Sequence, residues 1–599
     1  MKSRKVIIQE STGRRIIEQG RVRLWCVGLF FLLCFISISW RMIEVAVIDN
    51  KHALTITVTD PDTNEESEEV TAQSTEPVLR RGDIVDRNGM LLATSLMTAS
   101  LFANTKEIKN PEETAAKLEK TLGVDGKKIL AGLKSGKSFL WVKRNLTPKE
   151  EQAVNSLGIP GLYFQPEEKR VYPYGNLFAH TVGYVGLDNQ GLAGIEKQLD
   201  QRLRDEALNR QSLKLSLDAR LQGIMREEVM KAVTEFHAIG ATGVIMDLHS
   251  GELLSMVSLP DFDPNHPGKA DDNSRFNRAS LGVYEMGSTF KSFTMAMALN
   301  YGTANMKSSY DTTGPLHIGG FTVHDDEPKN RWLAVPEIYA YSSNVGAARM
   351  ALEVGGKRQK MFLEKLGMMK PVDIELPEKG SPLYPAEWRE ISSVTIAYGH
   401  GMSVSPLHLV RGVAALVDGG ILPHLTLIKD GNKDRVVSER VITEQTSKNM
   451  RRLMRLVVDH GTGGRANVPG YRVAGKTGTA EKVSGGVYEH NAKLTSFIAT
   501  FPMDNPQYIV LVMVDNPKGN KSTFNFATGG WISAPVVGRV ISRMGPLYGI
   551  VPQFDTPEDD AEKFWVDNKE NKDAPPAKPA SHPASLPAAL KKYLHAASY

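Results

Sequence analysis

The sequence predicts an α+β protein in three parts: a single N-terminal transmembrane helix, a β-rich module, and a larger domain with an antiparallel sheet flanked by helices. Three observations carry this. Residues 24–40 contain no charge and are bracketed by Arg23 and Arg41. Apolar and β-branched runs flank turn signals at Asn88-Gly89, His249-Ser250-Gly251 and Asp504-Asn505-Pro506, the pattern of antiparallel hairpins. Between the last two hairpins the chain turns to helical apolar spacing, as at Phe290, Phe293, Met297 and Leu299.

Bulk properties bound the rest. At 599 residues the chain exceeds one typical domain. With 41% hydrophobic and 23% charged residues its composition is that of ordinary globular protein. A net charge of +4 is small for this length, so no nucleic-acid partner is expected. The two cysteines, Cys26 and Cys34, both lie in the apolar run, which leaves no disulfide framework and no cysteine-based metal site elsewhere. No metal or cofactor is expected.

Residues 1–23 form a basic tail, with Lys2, Arg4, Lys5, Arg14, Arg15, Arg21 and Arg23 against Glu10 and Glu18. The positive-inside rule keeps this tail cytoplasmic and sends the long remainder across the membrane. The 17-residue run is at the lower limit for a span; Met42 and Ile43 extend it to 24–43 while Arg41 snorkels. A cleaved signal peptide is the competing reading, but Ser37-Ile38-Ser39 is a poor cleavage site and the run is longer than most signal cores. Residues 44–78 are a juxtamembrane segment ending in an acidic, solvated loop around Asp60, Asp62, Glu65, Glu66, Glu68 and Glu69.

The β-rich module is expected over 79–213. Arg80-Arg81-Gly82-Asp83 leads into the Asn88-Gly89 hairpin. Asn110-Pro111-Glu112-Glu113 is a well-formed helix start that Gly123 stops. Gly191-Leu192-Ala193-Gly194-Ile195-Glu196 opens another helical stretch. The larger domain is expected over 214–550, with hairpins near both ends and helical spacing between them. The core placement of the helix after Ser288 would bury Lys291. Residues 551–599 turn charged and then rich in Ala, Pro, Lys and His, a tail expected to be disordered and to have no core of its own.

Three short motifs carry the chemistry. Ser288-Thr289-Phe290-Lys291 is the only S-x-x-K in the chain, Ser342-Ser343-Asn344 follows 54 residues later, and Lys476-Thr477-Gly478-Thr479 comes third. On a helix, residues i and i+3 are neighbours, so Lys291 lies beside Ser288. A serine is a weak nucleophile until a base takes its proton, and a lysine is a base only when burial or nearby positive charge leaves it neutral. Asn344 and Lys476 would add an amide and a second cation to the same cleft. Each piece alone is weak; their order and spacing make the signal.

Two decoys compete. A second S-x-N at Ser447-Lys448-Asn449 opens an amphipathic helix, and Ser447 is expected on its surface. Gly470 to Thr477 matches the phosphate-loop pattern G-x-x-x-x-G-K-T, but loop precedes it and Gly478 comes too early for the required helix, so an edge strand fits better. No nucleophile elbow or zinc helix is present, and His180, His400 and His408 receive no catalytic role.

The three motifs, in this order, resemble the signature of the penicillin-recognising serine acyl-enzymes. Arg80 to Ala93 and the Gly194-Ile195-Glu196 segment look like the non-catalytic pedestal of class B penicillin-binding proteins. The resemblance runs from about residue 79 to about 545. It implies a pedestal (dimerisation-type) module followed by a penicillin-binding transpeptidase domain, whose antiparallel sheet is assembled from both ends of the domain with helices inserted between. The activity it implies is D,D-transpeptidation of peptidoglycan stem peptides ending in D-Ala-D-Ala, with β-lactams as inhibitors.

In that reading Ser288 is the nucleophile, Lys291 the acylation base and Ser342 the proton relay. Asn344 holds the substrate amide and Lys291, and Lys476 tunes the field. Thr477, Gly478 and Thr479 bind substrate, and the N–H groups of Ser288 and Thr479 form the oxyanion hole. The resemblance further implies the inner membrane, a periplasmic catalytic domain, and partnership with a membrane glycosyltransferase and other division proteins. Glu285-Met286-Gly287 departs from the family's Glu-Pro-Gly, which loosens a turn and removes no catalytic group.

Rival readings use the same acylation site. A β-lactamase lacks a pedestal, and the class A type needs a further glutamate in a Glu-x-x-Leu-Asn pattern, absent between Asn344 and Lys476. A β-lactam sensor would have several spans. A D,D-carboxypeptidase would differ only in using water. Among transpeptidases, Tyr398-Gly399-His400-Gly401 favours the division enzymes over the elongation ones.

Overall fold

Two compact units make up the chain, residues Met1–Leu79 and Arg80–Tyr599, and a computed structural model describes residues 29–40, 81–205, 211–431, 439–484, 487–554 and 561–565. In the first unit residues 29–40 form a helix whose Leu, Phe, Ile and Trp side chains are exposed. Among the described residues no helix is long and apolar enough to cross a membrane. The tail 1–23, the rest of the expected span and the acidic segment lie outside the described residues.

The second unit opens with a mixed module. Its longest strand, Leu91–Asn104, pairs antiparallel with both Phe139–Leu146 and Leu162–Val171. The expected hairpin at Asn88-Gly89 is present: Ile84–Val85 pairs with the start of the long strand, and Gly89 takes φ +89° in the turn. The module is less purely β than its turn signals suggest. Helices Pro111–Leu122, Gly126–Leu133 and Pro148–Asn155 press Leu118, Leu122, Ile129, Leu133 and Val154 onto Leu101, Ala103, Val142 and Leu146. The first ends at Gly123, left-handed at φ +64°, as a glycine stop requires.

The helical stretch expected from Gly191 starts at Gly194, and it is short: Gly194–Gln198. It delivers Glu196, whose carboxylate is wholly buried between two guanidiniums. Arg81 Nε donates to it at 2.5 Å and Arg170 Nε at 2.7 Å. Such a pair survives burial because its lone pairs are met from both sides.

The larger domain is organised around a five-stranded antiparallel sheet in the order Ala474–Ser484, Val487–Phe501, Tyr508–Asp515, Gly240–Asp247, Leu253–Leu259. Early and late segments thus meet in one sheet, as expected, and both later hairpins are present. Alternation along the strands sorts side chains to two covered faces. Val244, Met246, Ile509, Leu511 and Met513 join one core, which includes Phe293, Met297, Leu409 and Val413. Ala241, Ile245, Val510, Val512 and Val514 join the other, with Leu221, Met225, Val537 and Ile541 from helices Ala219–Glu235 and Ser533–Leu547. The segment that mimics a phosphate loop is the edge strand of this sheet and no helix follows it.

Two expectations fail. Ser447 is helical, within Glu444–Asp459, but it is buried. It lies three residues before Met450 and seven before Met454, both fully buried, so it shares their face. The tail is also not wholly without a packed place. Residues 561–565 are described, Ala561 is fully buried, and Phe564 and Trp565 pack against the domain core. The rest of 555–599 lies outside the described residues.

Candidate active site

The Ser288-Thr289-Phe290-Lys291 motif sits where a 3₁₀ turn, Gly287–Phe290, runs into the α-helix Lys291–Tyr301. Gly287 has φ +53°, and a Cβ there would stand 2.4 Å from the Thr479 carbonyl oxygen. Glycine therefore lets the turn lie directly on the edge strand and brings Ser288 beside Thr479. Gly478 completes the fit from the strand side, since a Cβ there would meet the Met286 carbonyl at 2.8 Å. Thr289 Oγ1 donates to the Met286 carbonyl and closes the turn at 2.8 Å.

Lys291 is fully buried. Its Nζ lies 2.8 Å from Ser288 Oγ, 2.8 Å from the Ser342 carbonyl oxygen, 3.1 Å from Ser342 Oγ and 2.7 Å from Asn344 Oδ1. The carbonyl and the amide oxygen can only accept. The Asn344 orientation is fixed because its Nδ2 donates to the His324 carbonyl at 2.9 Å. A neutral amine has two N–H groups and one lone pair. With both N–H groups spent on these two oxygens, the lone pair is left for the Ser288 hydroxyl. Burial holds the Lys291 ammonium down to about 7, and the carboxylates of Asp326 and Asp325 pull the other way.

Ser342 is left-handed at φ +62°, an uncommon state for serine, in the turn between helices Val335–Ala340 and Asn344–Val354. Lys476 Nζ donates to its Oγ at 3.0 Å. Burial drives Lys476 well below the usual ammonium range, and the charge on Lys291 adds to this. Ser342 Oγ thus stands between two lysines that disfavour each other's charge. Thr477 and Thr479 line the open cleft of about 530 Å³, together with Ser288, Ser342, Ser343, Arg465 and Trp531. All eight residues singled out from the sequence, Ser288, Lys291, Ser342, Asn344, Lys476, Thr477, Gly478 and Thr479, gather at this one place. Ser447 of the decoy is not among the residues that line the cleft; it is buried in the helix Glu444–Asp459.

Sequence reasoning missed the residues that hold the motifs. Asp325 accepts from Ser343 Oγ at 2.7 Å and from the Val345 N–H at 2.9 Å, tying the loop before the cleft to the Ser342 turn. Glu285 accepts from the His400 ring at 2.9 Å and from the Gly401 N–H at 2.7 Å. The Gly287 N–H donates to the Gly399 carbonyl at 3.1 Å. The Glu285-Met286-Gly287 and Tyr398-Gly399-His400-Gly401 segments are therefore one joint, and Met286, buried, fills the family's proline position. Gly529 donates to Thr479 Oγ1 at 3.0 Å, and the Thr462 and Thr477 hydroxyls meet at 2.6 Å.

A serine paired with a buried, neutral-capable lysine, beside an edge strand rich in hydroxyls, is equipped for serine acyl transfer. A family model described as the penicillin-binding protein transpeptidase domain matches residues 241–542, and one for the penicillin-binding protein dimerisation domain matches 77–220. The chain belongs to the class B penicillin-binding proteins. It is 42% identical over 480 residues to a probable peptidoglycan D,D-transpeptidase FtsI of Caulobacter vibrioides, covering 78% of this chain and 82% of that one. It is 33% identical to a probable peptidoglycan D,D-transpeptidase PenA of Neisseria meningitidis, covering 79% and 85%. Its fold matches penicillin-binding protein 3 of Mycobacterium tuberculosis, complexed with aztreonam, with a TM-score of 0.62 at 24% identity, covering 79% and 97%.

Proposed function

We propose that this protein is a peptidoglycan D,D-transpeptidase that cross-links stem peptides through a serine acyl-enzyme during septal wall synthesis. The observation that carries the reading is the Lys291 amine, buried and 2.8 Å from Ser288 Oγ. Ser288 Oγ attacks the penultimate D-Ala carbonyl of a donor stem peptide and gives its proton to Lys291. The C–N bond breaks, Ser342 relays a proton to the departing D-Ala amine, and an ester remains on Ser288. An amine from a second strand attacks that ester, forms the cross-link and returns the hydroxyl to Ser288.

Asn344 holds the substrate amide and orients Lys291. Lys476 donates to Ser342 Oγ and tunes the field there, and Thr477 and Thr479, with Gly478 between them, bind the substrate's terminal carboxylate. The Ser288 and Thr479 N–H groups receive the oxyanion, a term worth about 3–4 kcal/mol per donor. A β-lactam enters the same path and stalls at the ester.

The boundaries that fit this reading are a cytoplasmic tail at 1–23, a transmembrane helix at 24–43 and a juxtamembrane segment at 44–78. The pedestal then spans 79–213, the transpeptidase domain 214–550 and the tail 551–599. A single span in the inner membrane places catalysis in the periplasm. One motif set leaves glycan polymerisation to a separate membrane glycosyltransferase working with the division proteins. Labelling with a fluorescent penicillin followed by peptide mapping tests the site: the adduct is expected on Ser288 and absent from Ser288→Ala. Reporters fused to either end test the topology, with activity outside the cytoplasm expected only after Tyr599. Depletion is expected to give filaments; round cells would favour the elongation role.

A further inference from the structure

The segment 561–565 is anchored on the two stretches of chain that wall the cleft at Ser342. Trp565 stacks on the His460 ring, centroids 4.3 Å apart and planes 8° from parallel, and meets the Tyr341 ring edge-on at 5.6 Å. The Glu562 carboxylate faces His460 Nε2 at 2.8 Å, and the Arg452 guanidinium lies 5.2 Å over the Phe564 ring. His460 and Tyr341 both line the cleft. Tyr341 immediately precedes Ser342. His460 leads through Gly461 to Thr462, whose hydroxyl meets Thr477 and whose N–H donates to the Ala340 carbonyl at 3.4 Å. Gly461 packs so closely that a Cβ would stand 2.3 Å from that same carbonyl. One short strap thus touches the wall that carries Ser342 and the wall that supports Thr477.

Ser342 makes this contact matter. Its left-handed backbone persists only where the surroundings dictate it, and the ring before it is one of the parts the strap holds. We infer that the C-terminal segment 561–565 is a working part of the active site, with Trp565 a positioning residue that sets Ser342 through Tyr341 and His460. The inference rests on the acyl-enzyme reading above. It assigns a role to a tail whose composition predicts no core of its own.

The test uses the full chain and three variants, Trp565→Ala, Trp565→Phe and a chain ending at Phe554, each with a melting temperature. Stopped-flow acylation by a fluorescent penicillin separates the pre-acylation dissociation constant from the acylation step. Trp565→Ala and the shortened chain are expected to slow the acylation step about tenfold or more, as misplacement of reacting groups does, with the dissociation constant nearly unchanged. Trp565→Phe, which keeps a ring on His460, is expected to restore most of the rate. Acylation at the wild-type rate in both Trp565→Ala and the shortened chain overturns the inference. So does a lower melting temperature with the acylation step unchanged, which marks a purely structural strap. If wild-type protein takes no penicillin, or Ser288→Ala still does, the acyl-enzyme reading itself has failed and this inference with it.

Discussion

Lys291 Nζ donates to the Ser342 carbonyl at 2.8 Å, a bond between residues 51 positions apart that joins the first motif to the second. With the Asn344 amide oxygen it uses both N–H groups of a neutral amine and aims the lone pair at Ser288. Arginine cannot reproduce this, because it stays charged and has no lone pair to offer. Lys291→Arg is expected to abolish acylation, while Lys476→Arg, which keeps an N–H donor for Ser342 Oγ, retains part of it. Fluorescent-penicillin rates for the two variants decide the matter, and equal tolerance at both positions rules out Lys291 as the base.

Acylation should rise as pH climbs through about 7, where Lys291 loses its proton. The carboxylate of Asp326 favours the ammonium form. Removing that charge in Asp326→Asn therefore lowers the Lys291 pKa further and moves the acid limb of the rate profile to lower pH. A limb that stays in place or moves upward contradicts this assignment of the base.

Gly287→Ala should be far more harmful than its single methyl suggests. The left-handed backbone alone costs about 1–2 kcal/mol for a residue with a Cβ. The methyl must also displace the Thr479 carbonyl, 2.4 Å away, which pushes Ser288 off the edge strand. A soluble, folded variant with a strongly reduced acylation rate is expected, read by penicillin labelling beside circular dichroism.

Acid should weaken the fold through His408. Its Nε2 donates to the Lys370 carbonyl at 2.8 Å and its Nδ1 accepts from the Ser405 N–H at 3.2 Å, which fixes the neutral tautomer. Burial lowers its pKa to about 4. Between about 6.5 and 4 the unfolded chain binds a proton that the folded one does not, so stability falls as pH falls. His180, held down to about 4 by burial as well, acts in the same direction. Urea midpoints from pH 7 to 5 should decline, and His408→Gln should flatten the decline; an unchanged slope refutes the assignment.

The candidate site residues were legible because each motif is a local pattern whose spacing carries its own geometry. The hairpins were legible for the same reason, each resting on two or three turn residues. Long-range partners were not. Nothing in Asp325 announces that it holds Ser343, and Glu285 meets His400 across 115 residues only after the sheet and helices are assembled. Ser447 is a different failure: an amphipathic helix offers two faces, and the spacing from Met450 and Met454 puts Ser447 on the apolar one. Phe564 and Trp565 were likewise outweighed by the charged residues around them.

The strand that carries Lys476, Thr477 and Thr479 is the last in its sheet, and among the described strands none pairs with its outer side. An unpaired edge invites any extended chain, including a second copy of the protein. Here the invitation is confined. Register with Val487–Phe501 slips between Glu481 and Lys482, and Lys482 pairs with Asp515 at 2.7 Å. A bulge and charges of this kind twist an edge away from flat stacking. The molecule therefore keeps a few residues of edge open to an extended guest and spoils the continuation, which separates recognition of a short peptide from self-association along the same strand.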